Sequence, residues 1–243
     1  MIVIPMVGKS SRFFKAGYQE PKYKLTIGAV TVFEKAVSSF SRYFDTDPFL
    51  FLVRGDYDAF EFVNIHARKL GIKNFKVLEF KEETLGQADT VYQGLVKSIN
   101  FAPPEEPIYI FNIDTFHLNF SKSQSKCDGY LEVFEGDGEH WSFVAPGVED
   151  NVARTTEKER ISNLCSNGLY YFRNAEIFFS AFRKMVDINL KPNGEFYIAP
   201  MYNMLIADNL TVKYKLVNIS DLVFCGTPAE YDEVLLAYKT QNS

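Results

Sequence analysis

Met1-Ile2-Val3-Ile4-Pro5-Met6 runs through Val7 into Gly8-Lys9-Ser10-Ser11-Arg12-Phe13, and Pro21-Lys22 closes the segment. The apolar, β-branched opening reads as a short, buried first strand. A loop of small residues directly after such a strand offers backbone N–H groups to an anion. Arg12 and Lys22 then supply two cations close behind it. Strand, loop and cations together point to nucleoside triphosphate chemistry.

Two familiar phosphate loops do not fit. A Walker A loop needs a glycine five positions before its second one, and that position here is Val3, inside the strand. A dinucleotide loop needs G-x-G-x-x-G, but Ser10 and Phe13 stand where its second and third glycines belong. The segment instead resembles the signature of the sugar-phosphate nucleotidylyltransferases, the nucleoside-diphosphate-sugar pyrophosphorylases. Their pattern is a strand, G-x-G-[S/T]-R-[F/L/M], a variable stretch and P-K, matched here by Gly8, Ser11, Arg12, Phe13, Pro21 and Lys22. It departs at Ser10, which stands for the second glycine and tolerates positive φ less well.

Composition narrows the class. The chain has 243 residues, 47% of them hydrophobic, enough for one large α/β domain over residues 1–243. Net charge is −5 with no lysine-arginine block, which argues against a nucleic-acid partner. Cys127, Cys165 and Cys225 lie far apart with no C-x-x-C spacing and read as reduced packing thiols. No basic region precedes the N-terminal apolar run, and no run reaches the roughly 18 residues of a membrane span. A soluble, cytoplasmic protein with no membrane partner is expected. The 23 Phe and 14 Tyr are mostly core, as in the strand-like Phe49-Leu50-Phe51-Leu52-Val53.

Up to about residue 120, strand signals (1–6, 48–54, 74–79, 107–112) alternate with helix signals (31–43, 57–70, 86–99). Such alternation implies a mainly parallel, doubly wound, Rossmann-like sheet with ligands beyond the carboxyl ends of its strands. Residues 1–120 are then the nucleotide-binding half. From 121 onward the pattern is mixed: strands at 129–134, 140–146, 166–172 and 211–218, helices at 174–187, 194–208 and 228–240. Thr227-Pro228 reads as an N-cap followed by proline at the first helical position. Residues 121–243 are the acceptor-binding part.

The remaining motifs divide between nucleotide and acceptor. Asp114, after Phe111-Asn112-Ile113, sets a carboxylate at the active edge, suited to Mg²⁺ or to capping the next turn. No D-x-D pair follows it, which weighs against a glycosyltransferase. Leu85-Gly86-Gln87-Ala88-Asp89 opens a helix that Thr84 could cap. The resemblance puts Gly86 and Gln87 against the nucleobase. Glu157-Lys158, followed by Gly168-Leu169-Tyr170-Tyr171-Phe172, matches the family's E-K-P and T-G-L-Y-x-F segments. There the lysine grips the sugar phosphate, the glutamate binds sugar hydroxyls and the glycine admits the ring. Glu159 replaces the proline and Asn167 the threonine.

Gly194-Glu195-Phe196 resembles a G-E segment at a helix start, where Glu195 could hold an acceptor hydroxyl or complement the helix dipole. Gly226-Thr227-Pro228 resembles a late segment preceded by a metal-binding aspartate, but Phe224 and Cys225 occupy that place, leaving Asp221 as a distant substitute. His66 suggests a packing role, and His140 could line an acceptor pocket or pack.

The resemblance implies transfer of a nucleotidyl group from a nucleoside triphosphate to a sugar 1-phosphate, with release of pyrophosphate. Gly8, Ser10, Ser11, Gly86 and Gln87 would bind nucleotide, Arg12, Lys22 and Lys158 would act in catalysis, Glu157, Lys158, Gly168 and Glu195 would hold acceptor, and Asp114 would hold Mg²⁺. Capsule or lipopolysaccharide precursor synthesis is the family's usual setting. A cytidylyltransferase for phosphocholine or an amino-acid phosphate, a glycosyltransferase and a non-catalytic nucleotide-binding regulatory domain are the alternatives.

Overall fold

A computed structural model describes residues 1–241. β1 (Ile2–Met6) leads through the Gly8 loop into α1 (Ser11–Lys15). A minimal hairpin of β2 (Thr26–Ile27) and β3 (Val30–Thr31) turns at Gly28, φ +64°. α2 (Val32–Ser38) starts on a capping box: Thr31 Oγ1 accepts the Glu34 N–H while the Glu34 carboxylate accepts the Thr31 N–H. β4 (Pro48–Arg54), α3 (Ala59–Leu70), β5 (Asn74–Phe80), α4 (Gln87–Lys97) and β6 (Ile108–Phe111) continue the alternation. Gly71, φ +84°, ends α3 as the left-handed residue a helix stop requires. β7 (Thr115–His117), β8 (Gly129–Glu135), β9 (Ser142–Pro146), β10 (Val152–Glu157) and β11 (Leu164–Phe172) precede α5 (Ala175–Asp187), α6 (Tyr202–Ala207), β12 (Val212–Leu216), β13 (Leu222–Phe224) and α7 (Pro228–Gln241).

These elements form two compact units, each drawn from several chain segments. The first comprises Met1–Val3, Glu83–Phe111 and Lys122–Ile219. In it the start of β1 pairs parallel with β6, Ile2 opposite Tyr109. β11 pairs antiparallel with β6, β8 and β9, β10 pairs antiparallel with β9, and β12 runs parallel to β8. Tyr202, on α6, is fully buried, its hydroxyl 2.9 Å from the carbonyls of Tyr130 and Tyr171. The second unit comprises Ile4–Glu82, Asn112–Ser121 and the chain from Ser220 onward. β4 and β5 pair parallel in unbroken register from Pro48 opposite Asn74 to Arg54 opposite Phe80. Phe33, Phe40, Phe49 and Phe51 are fully buried there, with Phe33 and Phe51 5.5 Å apart. A small antiparallel ribbon joins β7 to β13, Thr115 opposite Phe224.

The α/β class and parallel N-terminal strands are as expected, and the mixed pairing falls on β8 to β12. Some boundaries differ. The helix expected over 31–43 ends at Ser38, and Ser41–Tyr43 is a separate 3₁₀ turn. The helix expected over 194–208 shrinks to α6, preceded by a 3₁₀ turn at Ala199–Met201. Pro200 has no N–H to donate, and the extended Glu195-Phe196 backbone bonds elsewhere. β10 went unseen because Ala153-Arg154-Thr155-Thr156 carries little apolar signal. The cysteines are free and buried. Among the described residues, no helix is long and apolar enough to cross a membrane.

Candidate active site

In the second unit, the loop after β1 turns on Ser10, φ +52° and ψ +28°, the left-handed conformation that a glycine adopts freely. The Ser10 hydroxyl accepts the Lys22 backbone N–H at 3.2 Å, tying the cradle to the Pro21-Lys22 segment. The Lys22 ammonium forms an ion pair with the Asp114 carboxylate, so the cation expected to act in catalysis meets the expected magnesium ligand directly. Both are about one-fifth exposed, accessible to a ligand without being freely solvated. Arg12 is exposed on α1 and makes no ion pair among the described residues.

Asp114 lies on the turn between β6 and β7, where its carbonyl accepts the Cys225 N–H at 2.7 Å. Gly226 packs so closely that a Cβ there would lie 2.8 Å from Asp114 Oδ2 and 3.6 Å from Glu230 Oε2. Glu230 is therefore the second carboxylate near Asp114, but its Oε2 accepts the N–H groups of Gly226 and Thr227 at 2.9 and 2.8 Å, capping α7. Asp221 accepts from Asn119 Nδ2 at the far end of the β7–β13 ribbon and is no substitute for the missing aspartate. Burial and the neighbouring Asp114 push the Cys225 thiol up to about 12, so it stays protonated. No cluster of three metal-ligating side chains occurs among the described residues. Magnesium commonly takes one or two carboxylates plus substrate phosphate oxygens, and Asp114 alone fits that donor set.

The acceptor motifs gather in the first unit. Glu157 ends β10, and Lys158 follows at φ +55°. Ser142 Oγ donates to the Glu157 carboxylate, and Lys158 Nζ lies 3.7 Å from it. Burial holds the Glu157 carboxyl above its usual range, against the Ser142 and Lys158 contacts that favour its ionised form. Burial works against the Lys158 charge, but the Tyr197 hydroxyl, 2.9 Å from Nζ, and the carboxylates of Glu157 and Glu195 outweigh it and raise its pKa. Glu157, Lys158, Glu195 and Tyr197 thus form one electrostatic group.

Glu195 stands on extended backbone, φ −122°, not at a helix start, so it complements no helix dipole. Gly168 sits at φ +87° where the β8–β11 register breaks, and Asn167 beside it donates to the fully buried Glu132. Gly86, φ +119°, has no room for a side chain: a Cβ would lie 2.6 Å from the backbone N and O of Phe196. Phe196 N–H donates to Leu85 O and Ala88 N–H to Phe196 O, so the Phe196 carbonyl satisfies a first-turn N–H of α4 while Gly86 occupies the N-cap position. The Thr84 hydroxyl pairs with Thr90 instead of capping. Gln87 is the first residue of α4.

The crystal structure of a nucleoside-diphosphate-sugar pyrophosphorylase from Vibrio cholerae RC9 matches 97% of this chain and 100% of its own, at 46% identity and a TM-score of 0.92. This chain belongs to the nucleoside-diphosphate-sugar pyrophosphorylases. As a member of that family it is an enzyme of the nucleotidyltransferase class. The inositol-1-phosphate CTP transferase of T. maritima, at 16% identity and a TM-score of 0.73, covers 98% of this chain and 95% of its own and shares the fold. A UDP-glucose pyrophosphorylase solved with UDP-glucose does likewise, at 15% identity, a TM-score of 0.73 and coverage of 99% and 98%. No protein-family model and no curated protein matches the chain.

In this pyrophosphorylase, sequence reasoning missed Tyr197, Glu230 and Glu132. Tyr197 directly follows the Gly194-Glu195-Phe196 motif and carries no charge to mark it. Glu230 was legible as the fourth residue of a T-x-x-E capping box at Thr227. Glu132 looks from sequence like an outward strand residue.

Proposed function

We propose that the enzyme transfers a nucleotidyl group from a nucleoside triphosphate to a sugar 1-phosphate, giving a nucleoside-diphosphate sugar and pyrophosphate. The observation that carries this reading is the Lys22–Asp114 pair beside the Ser10 turn, an ammonium and a carboxylate at the carboxyl edge of a phosphate-type loop. A phosphate monoester is mostly dianionic at pH 7, its second pKa being about 6, so its oxygen attacks the α-phosphorus without a general base. The α-phosphorus bond to the bridging oxygen breaks, and that electron pair leaves on pyrophosphate. The protein then needs alignment and charge neutralisation.

In this scheme Lys22 moves from Asp114 to the α-phosphate as the triphosphate enters. Arg12 offsets charge on the triphosphate, and Lys158 holds the phosphate of the acceptor while Glu157 and Glu195 accept from its hydroxyls. Asp114 would hold Mg²⁺ together with phosphate oxygens, and the bound ion would supply further charge neutralisation. Dependence on triphosphates suits a cytoplasmic enzyme, and an activated sugar suits capsule or lipopolysaccharide synthesis.

The test is pyrophosphate release across the common triphosphates and a panel of sugar 1-phosphates, with phosphocholine as a non-sugar control. Lys22→Ala should lower turnover by about 10²–10³-fold. Its partner Asp114 stays partly solvated, so stability should change by less than about 1 kcal/mol. Undiminished pyrophosphate release in the variant would refute the assignment.

A further inference from the structure

Ser142 opens β9 outside every motif that marks the acceptor residues of the first unit. It stands directly opposite Glu157, the last residue of β10, in the antiparallel ladder. Ser142 is buried, and its hydroxyl donates to Oε2 of the Glu157 carboxylate. The other oxygen, Oε1, faces Lys158 Nζ at 3.7 Å, too far for a hydrogen bond. The two oxygens are thus divided: one is committed to the protein, and the other keeps lone pairs for a further donor. Ser142 has a single hydroxyl proton and gives it to Glu157, so it does not itself donate to a ligand. One residue on, the Lys158 N–H donates to the Trp141 carbonyl at 2.9 Å and ties the left-handed Lys158 to the same strand end.

We propose that Ser142 is a positioning residue for the acceptor: by pinning one Glu157 oxygen it aims the other at a single hydroxyl of the sugar 1-phosphate, and so selects acceptors that carry that hydroxyl. The inference rests on the nucleotidyl-transfer reading above and deepens it. A carboxylate locked before binding loses less conformational freedom when the ligand arrives. A site built around a substrate hydroxyl also rejects the analogue that lacks it, because its own acceptor is then left unpaired. Charge works in the same direction. Burial raises the Glu157 carboxyl, the Ser142 hydroxyl and Lys158 oppose that rise, and Glu195 adds to it. Lys158 and Glu195 are the charged side chains that face Glu157. Without the Ser142 hydroxyl the carboxyl is more readily protonated, and a protonated carboxyl is a poorer acceptor for the sugar.

The experiment is equilibrium titration of the full chain with glucose, galactose and mannose 1-phosphates, then with the monodeoxy analogues of whichever binds wild type most tightly. Ser142→Ala should weaken binding of that parent about tenfold, as expected for one weakened charge-assisted contact, and leave one monodeoxy analogue unaffected. Ser142→Thr keeps the hydroxyl and should restore most of the difference. In a Glu157→Ala background, Ser142→Ala should change nothing further. The acid limb of parent binding should move to higher pH in Ser142→Ala, because the carboxylate is lost sooner as pH falls. Equal weakening of the parent and every analogue would mean that Ser142 only supports the strand, and it overturns the proposal, as does unchanged affinity. Ser142-dependent binding with no pyrophosphate release from any triphosphate leaves the positioning role standing and refutes the transfer reading. Normal release with Ser142-independent acceptor binding removes the positioning role alone. A wild type that binds none of the three sugar phosphates overturns the role and the reading together.

Discussion

Ser10 shows how a departure from a motif is accommodated. Its position demands left-handed backbone, which costs an L-residue about 1–2 kcal/mol relative to glycine. The serine recovers part of that through its hydroxyl, which fixes the Lys22 amide. Ser10→Ala should keep the strain and lose the hydrogen bond, lowering stability by about 1 kcal/mol. Ser10→Gly should lose the bond and relieve the strain, leaving stability within about 0.5 kcal/mol of wild type. Thermal melts of the two variants check this, and equal losses would show that the backbone strain is negligible. The conflict between residue type and required φ was visible in the sequence, but the bond that offsets it links residues twelve positions apart and was not.

At the scale of elements, β11 organises the first unit, pairing antiparallel with β6, β8 and β9. Its register breaks between Ser166 and Tyr170, and the break is held by Asn167, whose Oδ1 accepts the Leu169 N–H and whose Nδ2 donates to Glu132. Glu132 is fully buried on β8 and paired at 2.9 Å with Lys215 of β12. Breaking such a pair costs about 3–5 kcal/mol, because a buried charge loses its partner. Lys215 remains partly exposed and can turn to water, so Glu132→Ala should fall near the lower end, about 3 kcal/mol by urea unfolding. Glu132→Leu combined with Lys215→Met should recover most of it, since a buried pair is replaceable by apolar groups of similar volume. A double variant as unstable as the single one would mean that the pair holds Asn167 in a way packing cannot.

At the scale of the whole molecule, stability should follow pH through Glu34 on α2. Burial alone would push its carboxyl up, but Lys69 at 2.7 Å, the Thr31 N–H and His66 at 3.2 Å outweigh burial and lower it to about 2. Because the folded value lies below the unfolded one, the ionised form stabilises the fold above about pH 4.5, and that contribution is lost as pH falls through about 2. The full contribution is about 3 kcal/mol at neutral pH. Glu34→Gln should flatten the acid limb of the stability profile measured by denaturant midpoints. An unchanged limb would locate the acid sensitivity in other carboxylates.

Strand and helix alternation, the Gly8 loop and the residues of the acceptor motifs were fixed by local chemistry: apolar runs, glycine stops at Gly71, and capping residues at Thr31 and Thr227. Those signals live within a few residues of one another and need no fold to be read. Tertiary structure alone decided that Lys22 meets Asp114, that Glu230 is spent on a helix cap, that Phe196 takes the space beside Gly86, and that Glu195 stands on extended chain. Each depends on segments far apart in sequence being brought within a few ångströms, and hydrogen-bond geometry at that range leaves no periodic trace in the order of residues.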